Sequence, residues 1–345
     1  MNRVYQRLVF AAQALRYGEV PPTMVKHHGQ ISNEEILEIK RFFPMEKYFI
    51  FGHARSGTTL LARLIRVHPE VHCNWQAHFF TRRPFLSSLV SDPEVNEWLT
   101  RRSNRWNRGQ DLSPIVMRAV SDFILEREAA RVGKTVVGDK SPNNLVHGKA
   151  VQLLAEIYPD AKLIFIVRDG RDAVISHQIQ KFIDLPDQLN AEEITIRQSL
   201  IKDPQGILNK NKSIFPSGSL QKAADDWVKN VTETNDIGKG IYAESFLSLR
   251  FEDIVDNPHI QLDRIWKFLG VNTEIPEVEE SINNEISENP DADWQREKQQ
   301  EVAKFIRKGL PGSWREFFTE EDKRIFKEFA GETLVEWGYE KDFNW

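Results

Sequence analysis

The sequence predicts an α/β fold in which helices flank a parallel β-sheet. Three short apolar runs carry this prediction, at residues 48–51, 135–138 and 162–167, and each is followed by a turn and then by a helical pattern. Strands that alternate with helices in this way are typical of parallel sheets. A fourth strand, residues 246–251, precedes the helical pattern of residues 260–269. The run at residues 162–167 is nearly all apolar, as expected of a strand buried on both faces of the sheet.

Composition excludes several classes of protein. The chain has 345 residues, of which 40% are hydrophobic and 28% charged, so it can bury a large core and is not a disordered chain. Its 46 Lys and Arg against 51 Asp and Glu give a net charge of −5, which excludes a generic basic nucleic-acid-binding protein. Cys73 is the single cysteine, which excludes a disulfide framework. We therefore expect a reducing, cytoplasmic location. The sequence does not indicate an oligomeric state.

We expect an N-terminal helical segment, residues 1–45, followed by a single domain, residues 46–345. The apolar run at the N-terminus is interrupted by Arg3, Arg7 and Arg16, which makes it a poor signal peptide. No stretch of the sequence approaches the length of a transmembrane helix. Contact of the N-terminal segment with a membrane surface is left open.

Three further parts of the domain are assigned from turn and helix signals. Residues 75–130 are rich in Arg and Trp and contain three prolines, which predicts an insertion of several short helices joined by turns. Residues 182–217 also carry three prolines, without a clear period, and predict a mobile insertion. The C-terminal helix is expected to begin after Thr319, which suits an N-cap. The residues that this helix should bury are Phe326, Phe329, Leu334 and Trp337.

The sharpest local signal is the segment GHARSGTT at residues 52–59, between the first strand and a helix. Its geometry resembles a P-loop, because glycines let successive backbone N–H groups face inward and the helix that begins near Gly57 adds the partial positive charge of its N-terminus. A Walker A loop has Lys immediately before its last Ser or Thr, whereas Thr58 stands there and the cation is Arg55. The alternative interpretation is an ordinary turn with an exposed Arg.

Two more segments have the composition of anion-binding elements. Arg168 directly follows the strand at residues 162–167, at the edge where parallel sheets bind ligands, and Ser176 lies about two turns into the next helix. Far downstream, residues 307–314 (RKGLPGSW) place two adjacent cations before two glycines. A charged run is usually a solvated surface, so this segment is persuasive only together with the others.

Taken together, the three motifs resemble those of sulfotransferases that use 3′-phosphoadenosine 5′-phosphosulfate (PAPS). Residues 55–59 resemble the 5′-phosphosulfate loop of that family, the pair Arg168 and Ser176 its 3′-phosphate motif, and residues 307–314 its C-terminal 3′-phosphate loop. The mixture combines features of the tyrosylprotein and cytosolic branches. The resemblance implies a three-layer sulfotransferase fold and no metal. It also implies transfer of the sulfuryl group to a hydroxyl or amine of a small-molecule, lipid, glycan or peptide acceptor, with release of adenosine 3′,5′-bisphosphate (PAP).

The resemblance also implies roles for individual residues. PAPS carries anions at two ends, so its selection over ATP requires two separated cationic sites. The residues expected at the 5′ end are Arg55, Ser56, Gly57, Thr58 and Thr59. Those expected at the 3′-phosphate are Arg168, Ser176, Arg307, Lys308 and Gly309. Phe251 and Trp294 are candidates for an aromatic clamp on the adenine, and the alternative for both is a place in the core.

Arg55 and Lys140 are expected to contact the sulfuryl and bridging oxygens. Lys140 resembles the family's lysine after the second strand, and the alternative is a structural ion pair with Asp139. Cytosolic relatives carry a histidine two residues after this lysine, where this chain has Pro142. We nominate His78 as the general base, because an unperturbed imidazole titrates near pH 6.5, with His53 and Asp139 as alternatives.

Two other functions are compatible with this sequence. One is a small-molecule kinase on a related scaffold, which would need ATP and Mg²⁺. The other is a non-catalytic module that binds the nucleotide but has lost its base. The acceptor itself is not readable, although residues 75–120 and 182–217 have the apolar content that suits a partly apolar molecule with a hydroxyl group.

Overall fold

Five strands form one parallel sheet in the computed structural model, which describes residues 29–100, 103, 105–210, 212–275, 278–287, 302 and 311–345. The strands are Glu46–Phe51 (β1), Val71–Trp75 (β2), Val136–Lys140 (β3), Lys162–Val167 (β4) and Phe246–Arg250 (β5). Their order is β2-β3-β1-β4-β5, and every neighbouring pair is parallel. The predicted fold class is confirmed.

Helices cover both faces of this sheet. The helices of the described residues are Asn33–Ile39 (α1), Thr58–Ile65 (α2), Pro93–Thr100 (α3), Ser113–Arg131 (α4), Lys149–Ile157 (α5), Gly170–Asp184 (α6), Ala191–Lys202 (α7), Pro204–Leu208 (α8), Ser219–Tyr242 (α9), Phe251–Asp256 (α10), Pro258–Leu269 (α11), Glu279–Ser287 (α12), Trp314–Phe317 (α13) and Glu320–Glu336 (α14). Alternate residues of a strand point to opposite faces. In β1, Phe49 packs with the cluster that contains α4, α5, α6, α9 and α14, and Ile50 packs with α2, α11 and α12. The result is three layers.

The register of the central strands decides where the functional segments leave the sheet. In β1, Ile50 pairs with Lys140 of β3 and Phe51 pairs with Phe165 of β4. The carboxyl ends of all three strands therefore lie at one edge, and the segments that follow them begin side by side. This edge is the usual position of ligand sites in open parallel sheets.

The structure differs from the prediction in residues 71–140. The strand predicted at residues 135–138 continues through Lys140, because its last residues pair with strands on both sides. Strand β2 was not predicted, because His72 and Asn74 interrupt its apolar residues and the segment has no continuous apolar run. The prediction of only short helices in residues 75–130 is wrong for α4, which has 19 residues. The inner face of α4 lacks an apolar stripe, because it buries charged residues that form ion pairs. These residues are Arg118, Asp122 and Glu126.

Two other predictions concern the second half of the chain. Residues 182–217 contain the helices α7 and α8. Their sequence has no clear period, because the buried residues of α7 are the charged Glu193 and the apolar Leu200. The C-terminal helix α14 begins after Thr319 with a capping box, as predicted. Phe326 and Leu334 of α14 are buried, but the prediction for Phe329 is wrong, since 43% of it is exposed. Among the described helices, none has the length and apolarity that a membrane span requires.

Candidate functional site

Close packing determines the shape of the loop between β1 and α2. Gly57 caps α2 with a φ of +86°, and a Cβ at this position would lie 2.1 Å from the ring of Phe251. A Cβ on Gly52 would lie 2.7 Å from the carbonyl oxygen of Ile166 in β4. No real Cβ atom has such contacts, so both glycines are required where they stand. The loop therefore fits closely between β4 and the start of α10.

Hydrogen bonds from the next segment of the edge support the loop. The backbone N–H of Ala54 donates to Asn144 Oδ1 at 2.9 Å, and that of Asn143 donates to the carbonyl oxygen of Gly52 at 2.8 Å. Within the part of the chain that the structure describes, the buried hydroxyl of Ser56 has no hydrogen-bond partner. Because buried polar groups nearly always have a partner, Ser56 Oγ is suited to a ligand oxygen.

Three predicted anion-binding residues converge at the β1 and β4 ends. Arg55 Nε donates to Ser176 Oγ at 3.1 Å, and Arg168 Nη1 donates to the carbonyl oxygen of Arg55 at 3.3 Å. The guanidinium of Arg168 lies 4.9 Å from the centroid of the Phe251 ring, and its buried Nε has no partner among the described residues. Phe251 is only 3% exposed, a position that favours the packing alternative for this ring. The 5′ and 3′ motifs are thus adjacent in space.

Lys140 reaches the loop from the neighbouring strand. Its Nζ donates to Thr59 Oγ1 at 3.0 Å and lies 4.9 Å from the centroid of the Trp75 ring, while the residue as a whole is 1% exposed. Asp139 directs one carboxylate oxygen to the backbone N–H of Ala77 at 3.0 Å and accepts the Ser141 hydroxyl at the other. The geometry therefore turns Lys140 towards the loop and Asp139 towards the segment after β2.

His78 lies on that segment, half-buried and close to Lys140. Its backbone N–H donates to Ser141 Oγ at 3.0 Å, and its Nδ1 lies 2.7 Å from Thr81 Oγ1. Burial, followed by the charges of Arg82 and Lys140, lowers the pKa of His78 to about 4. The imidazole is consequently neutral at pH 7. In the tautomer whose Nδ1–H donates to Thr81 Oγ1, Nε2 is the nitrogen that can accept a proton.

The two alternative bases are less accessible than His78. His53 is buried, its Nδ1 lies 3.0 Å from the carbonyl oxygen of Ala54, and burial lowers its pKa to about 4. Asp139 is 1% exposed, and burial raises its pKa to about 6. Neither group presents a proton acceptor at the surface of the edge. Accessibility thus favours His78 among the three candidates.

Comparison with known proteins agrees with this geometry. The model described as "Sulfotransferase family" matches residues 48–274, about two thirds of the chain. The chain belongs to the sulfotransferase family. The matched range includes Arg55, Lys140 and Arg168 but ends before residues 307–309.

Relatives of this sulfotransferase-family chain include enzymes that act on different acceptors. It is 25% identical over 245 residues to protein-tyrosine sulfotransferase A of Caenorhabditis elegans, covering 69% of this chain and 54% of that protein. It is 24% identical over 223 residues to mouse heparan sulfate glucosamine 3-O-sulfotransferase 3B1, covering 64% of this chain and 45% of that protein. The chain spans about half the length of these relatives. A solved structure, mouse sulfotransferase SULT7A1 complexed with PAP, is 17% identical, with 92% of both chains covered and a TM-score of 0.44.

The structure adds residues to the site, and four of the predicted residues lie outside the part of the chain that it describes. Arg307, Lys308, Gly309 and Trp294 lie outside the described residues. Trp75 at the end of β2 is 46% exposed beside Lys140; its signal was the alternation of Val71, Cys73 and Trp75. Thr81 was not predicted either, because no sequence motif marks its contact with His78.

Proposed function

We propose that this chain transfers the sulfuryl group of PAPS to a hydroxyl or amine of an acceptor and releases PAP. The observation that carries the proposal is the convergence of three segments at one edge of the sheet. Arg55, Arg168 and Ser176 lie in hydrogen-bond contact there, and Lys140 reaches Thr59 from the other side. A ligand that carries anionic groups suits such a cluster of cations and hydroxyls.

Buried polar atoms of the site support the binding of an anion. Ser56 Oγ and Arg168 Nε are buried without a partner among the described residues, and the loop approaches its neighbours too closely for any side chain at Gly57. Residues 55–59 would hold the 5′ end of PAPS. Arg168 and Ser176 would hold the 3′-phosphate, together with residues 307–309 as the family resemblance implies.

The chemistry assigned to the chain divides between two side chains. PAPS supplies a sulfuryl group in which the sulfur is bonded to an oxygen of a phosphate leaving group. As the acceptor oxygen bonds to sulfur, that sulfur–oxygen bond breaks and its electron pair stays on the phosphate. His78 Nε2 would accept the acceptor proton, and Lys140 would donate a hydrogen bond to the charge that develops on the leaving oxygen.

A hydroxyl is the acceptor group that the relatives support. The names of two relatives specify tyrosine and the 3-O position of glucosamine, which are both hydroxyl acceptors. Trp75, exposed beside Lys140, offers an apolar surface next to the reacting group. Residues 75–120 and 182–217 would bound the acceptor cavity. The cytoplasmic location and the independence from metal remain predictions.

A transfer assay tests this function. The protein is incubated with sulfur-labelled PAPS and a mixed library of phenols, sugars, lipids and peptides in excess EDTA. Label in an acceptor supports the sulfotransferase, and the Lys140→Met variant should remove it. Binding of PAP without any labelled product supports a non-catalytic module. Activity that requires ATP and Mg²⁺ supports a kinase.

A further inference from the structure

Trp75 and Lys140 form a pair at the carboxyl edge of the sheet. The two residues are partners in the register of β2 and β3, and the Lys140 ammonium nitrogen lies 4.9 Å from the centroid of the Trp75 ring. Trp75 is 46% exposed whereas Lys140 is 1% exposed, so the indole takes the solvent-facing position of the pair. The ring therefore keeps water away from the cation that the proposed function places at the reacting group.

The burial of Lys140 requires neighbours that stabilise its charge, since fully buried lysines are rare without them. On the loop side, Nζ donates to the Thr59 hydroxyl at 3.0 Å. The carboxylate of the preceding residue, Asp139, accepts the backbone N–H of Ala77 and the Ser141 hydroxyl. The face of an indole attracts a cation more strongly than the face of any other aromatic side chain. The Lys140 ammonium thus has a hydroxyl group and an indole face among its neighbours.

Trp75 is itself held in place by a helix and by a strand. The centroid of its ring lies 5.4 Å from the guanidinium carbon of Arg66, the residue that caps α2 at its C-terminus. The backbone after Trp75 continues to pair with β3, because the N–H of Gln76 donates to the carbonyl oxygen of Lys140 at 2.8 Å. These contacts fix the ring, and the ring in turn restricts the position of the ammonium.

We propose that Trp75 is a positioning residue for sulfuryl transfer, and that it acts by holding the Lys140 ammonium towards the leaving oxygen. The inference rests on the proposed function, in which Lys140 donates to the charge that develops on that oxygen. The side chain of lysine is a flexible four-carbon stem, so its ammonium becomes mobile when one of its contacts is removed. A donor that is already in place stabilises the transition state better than a mobile one. Trp75 therefore affects the rate of transfer and not the binding of the nucleotide.

Two substitutions separate the ring face of Trp75 from its apolar volume. Trp75→Leu keeps an apolar side chain without a ring, and we expect the transfer rate from sulfur-labelled PAPS to the mixed acceptor library to fall about tenfold. Trp75→Phe keeps a ring, so its transfer rate should fall about threefold or less. In both variants the PAP affinity, measured by calorimetry, should stay within about twofold of wild type. A merely structural role would lower the PAP affinity as well.

Phe268→Leu is the matched control. The Nζ of Lys162, the first residue of β4, lies 5.8 Å from the centroid of the Phe268 ring, so this variant removes a cation–ring contact at the opposite edge of the sheet. We expect its transfer rate to equal that of the wild type. A loss as large as that of Trp75→Leu would show that the effect does not depend on the site, and it would overturn the positioning role.

A double-mutant cycle with Lys140→Met shows whether Trp75 acts through the lysine. In the Lys140→Met background, Trp75→Leu should lower the single-turnover transfer rate no further, because the ammonium that the ring holds is absent. An undiminished tenfold loss in that background would overturn the positioning role. A loss confined to the phenols of the library would also overturn it, because the ring would then contact the acceptor directly.

The outcomes separate this inference from the proposed function. A wild-type chain that transfers label, combined with a Trp75→Leu variant of unchanged rate, overturns the positioning role alone. If Trp75→Leu does not fold, a tetrafluorinated tryptophan at position 75 keeps the shape of the ring and removes the negative potential of its face. We then expect a loss of about threefold or more, and an unchanged rate overturns the role. A wild-type chain that transfers no label overturns the proposed function, and with it any role of Trp75 in transfer.

Discussion

The two sides of the Lys140 ammonium group are built in different ways. On the loop side, backbone packing sets the geometry, since Gly57 and Gly52 lie where no side chain fits. On the acceptor side, single side chains project from the end of β2: Trp75 is 46% exposed, and His78 is half-buried. This difference indicates that nucleotide binding and sulfuryl transfer depend on separate parts of this edge of the sheet. Variants of the loop should weaken nucleotide binding, whereas variants of the acceptor side should slow transfer and spare binding.

The largest effect expected on the acceptor side is that of His78→Ala. Loss of a general base lowers kcat by about 10²–10⁴-fold, while calorimetry should find PAP binding within about twofold of wild type. His72→Ala is the control, because His72 is a histidine of β2 to which no role in binding or transfer is assigned. Normal turnover in His78→Ala would remove this residue from the mechanism.

The pH profile sharpens the same assignment. Because the pKa of His78 is lowered to about 4, the imidazole stays in its neutral, proton-accepting form throughout the neutral range. We therefore expect kcat/KM to be flat from pH 8 down to about pH 5 and to fall only below it, as the base is protonated. A fall in kcat/KM centred near pH 6.5, the ordinary pKa of histidine, would contradict the lowered pKa of His78.

Lys140→Met is expected to have the next largest effect. Removing a donor that stabilises developing charge lowers kcat by about 10²–10³-fold. The matched control is Lys162→Met, since Lys162 begins β4 at the opposite edge of the sheet. Labelled-sulfate transfer measures both. Similar losses of kcat in the two variants would show that Lys140 contributes to the stability of the fold and not to transfer.

On the loop side, Gly57→Ala should weaken PAP binding more than tenfold, because the added Cβ meets the Phe251 ring at 2.1 Å and deforms the loop. Gly218→Ala separates this clash from backbone strain: its φ is +74°, and nothing lies within 4 Å of the added Cβ. Both variants should lose about 1–2 kcal/mol of unfolding free energy from strain, and only Gly57→Ala should lose nucleotide affinity. Calorimetry and urea denaturation measure the pair.

Ser176→Ala should have the smallest effect. It removes a hydroxyl that accepts from Arg55 Nε at 3.1 Å, so PAP affinity should fall about three- to tenfold with kcat retained. Ser199→Ala in α7 is the helical control. A fall in kcat without a change in PAP affinity would show that Ser176 acts in transfer and not in nucleotide binding, which contradicts this account.

The same division explains what the sequence could predict. The loop is contiguous, so glycines, hydroxyls and Arg55 appear within residues 52–59 between a strand and a helix, and the structure has that order. The neighbouring strand ends were also predictable, because buried parallel strands are apolar runs. Lys140 was expected after its strand, and the structure extends β3 to include it.

The parts of the molecule outside this contiguous loop were predicted less well, for physical reasons. Helix α4 buries Arg118 and Asp122 as an ion pair at 2.8 Å, so its inner face does not have the apolar period on which helix prediction depends. Local patterns are equally blind to the hydrogen bond from the backbone N–H of Gly312 to Asp172 Oδ2, since the two residues are 140 positions apart. Only long-range packing reveals such connections.

Calorimetric titration of the wild-type chain with PAP and with AMP tests the central claim most directly. If the loop at Arg55 and the cations around Arg168 bind the two ends of one adenosine ligand, PAP should bind at least tenfold more tightly than AMP, which is about 1.4 kcal/mol. Equal affinities for the two nucleotides would contradict this account of the site.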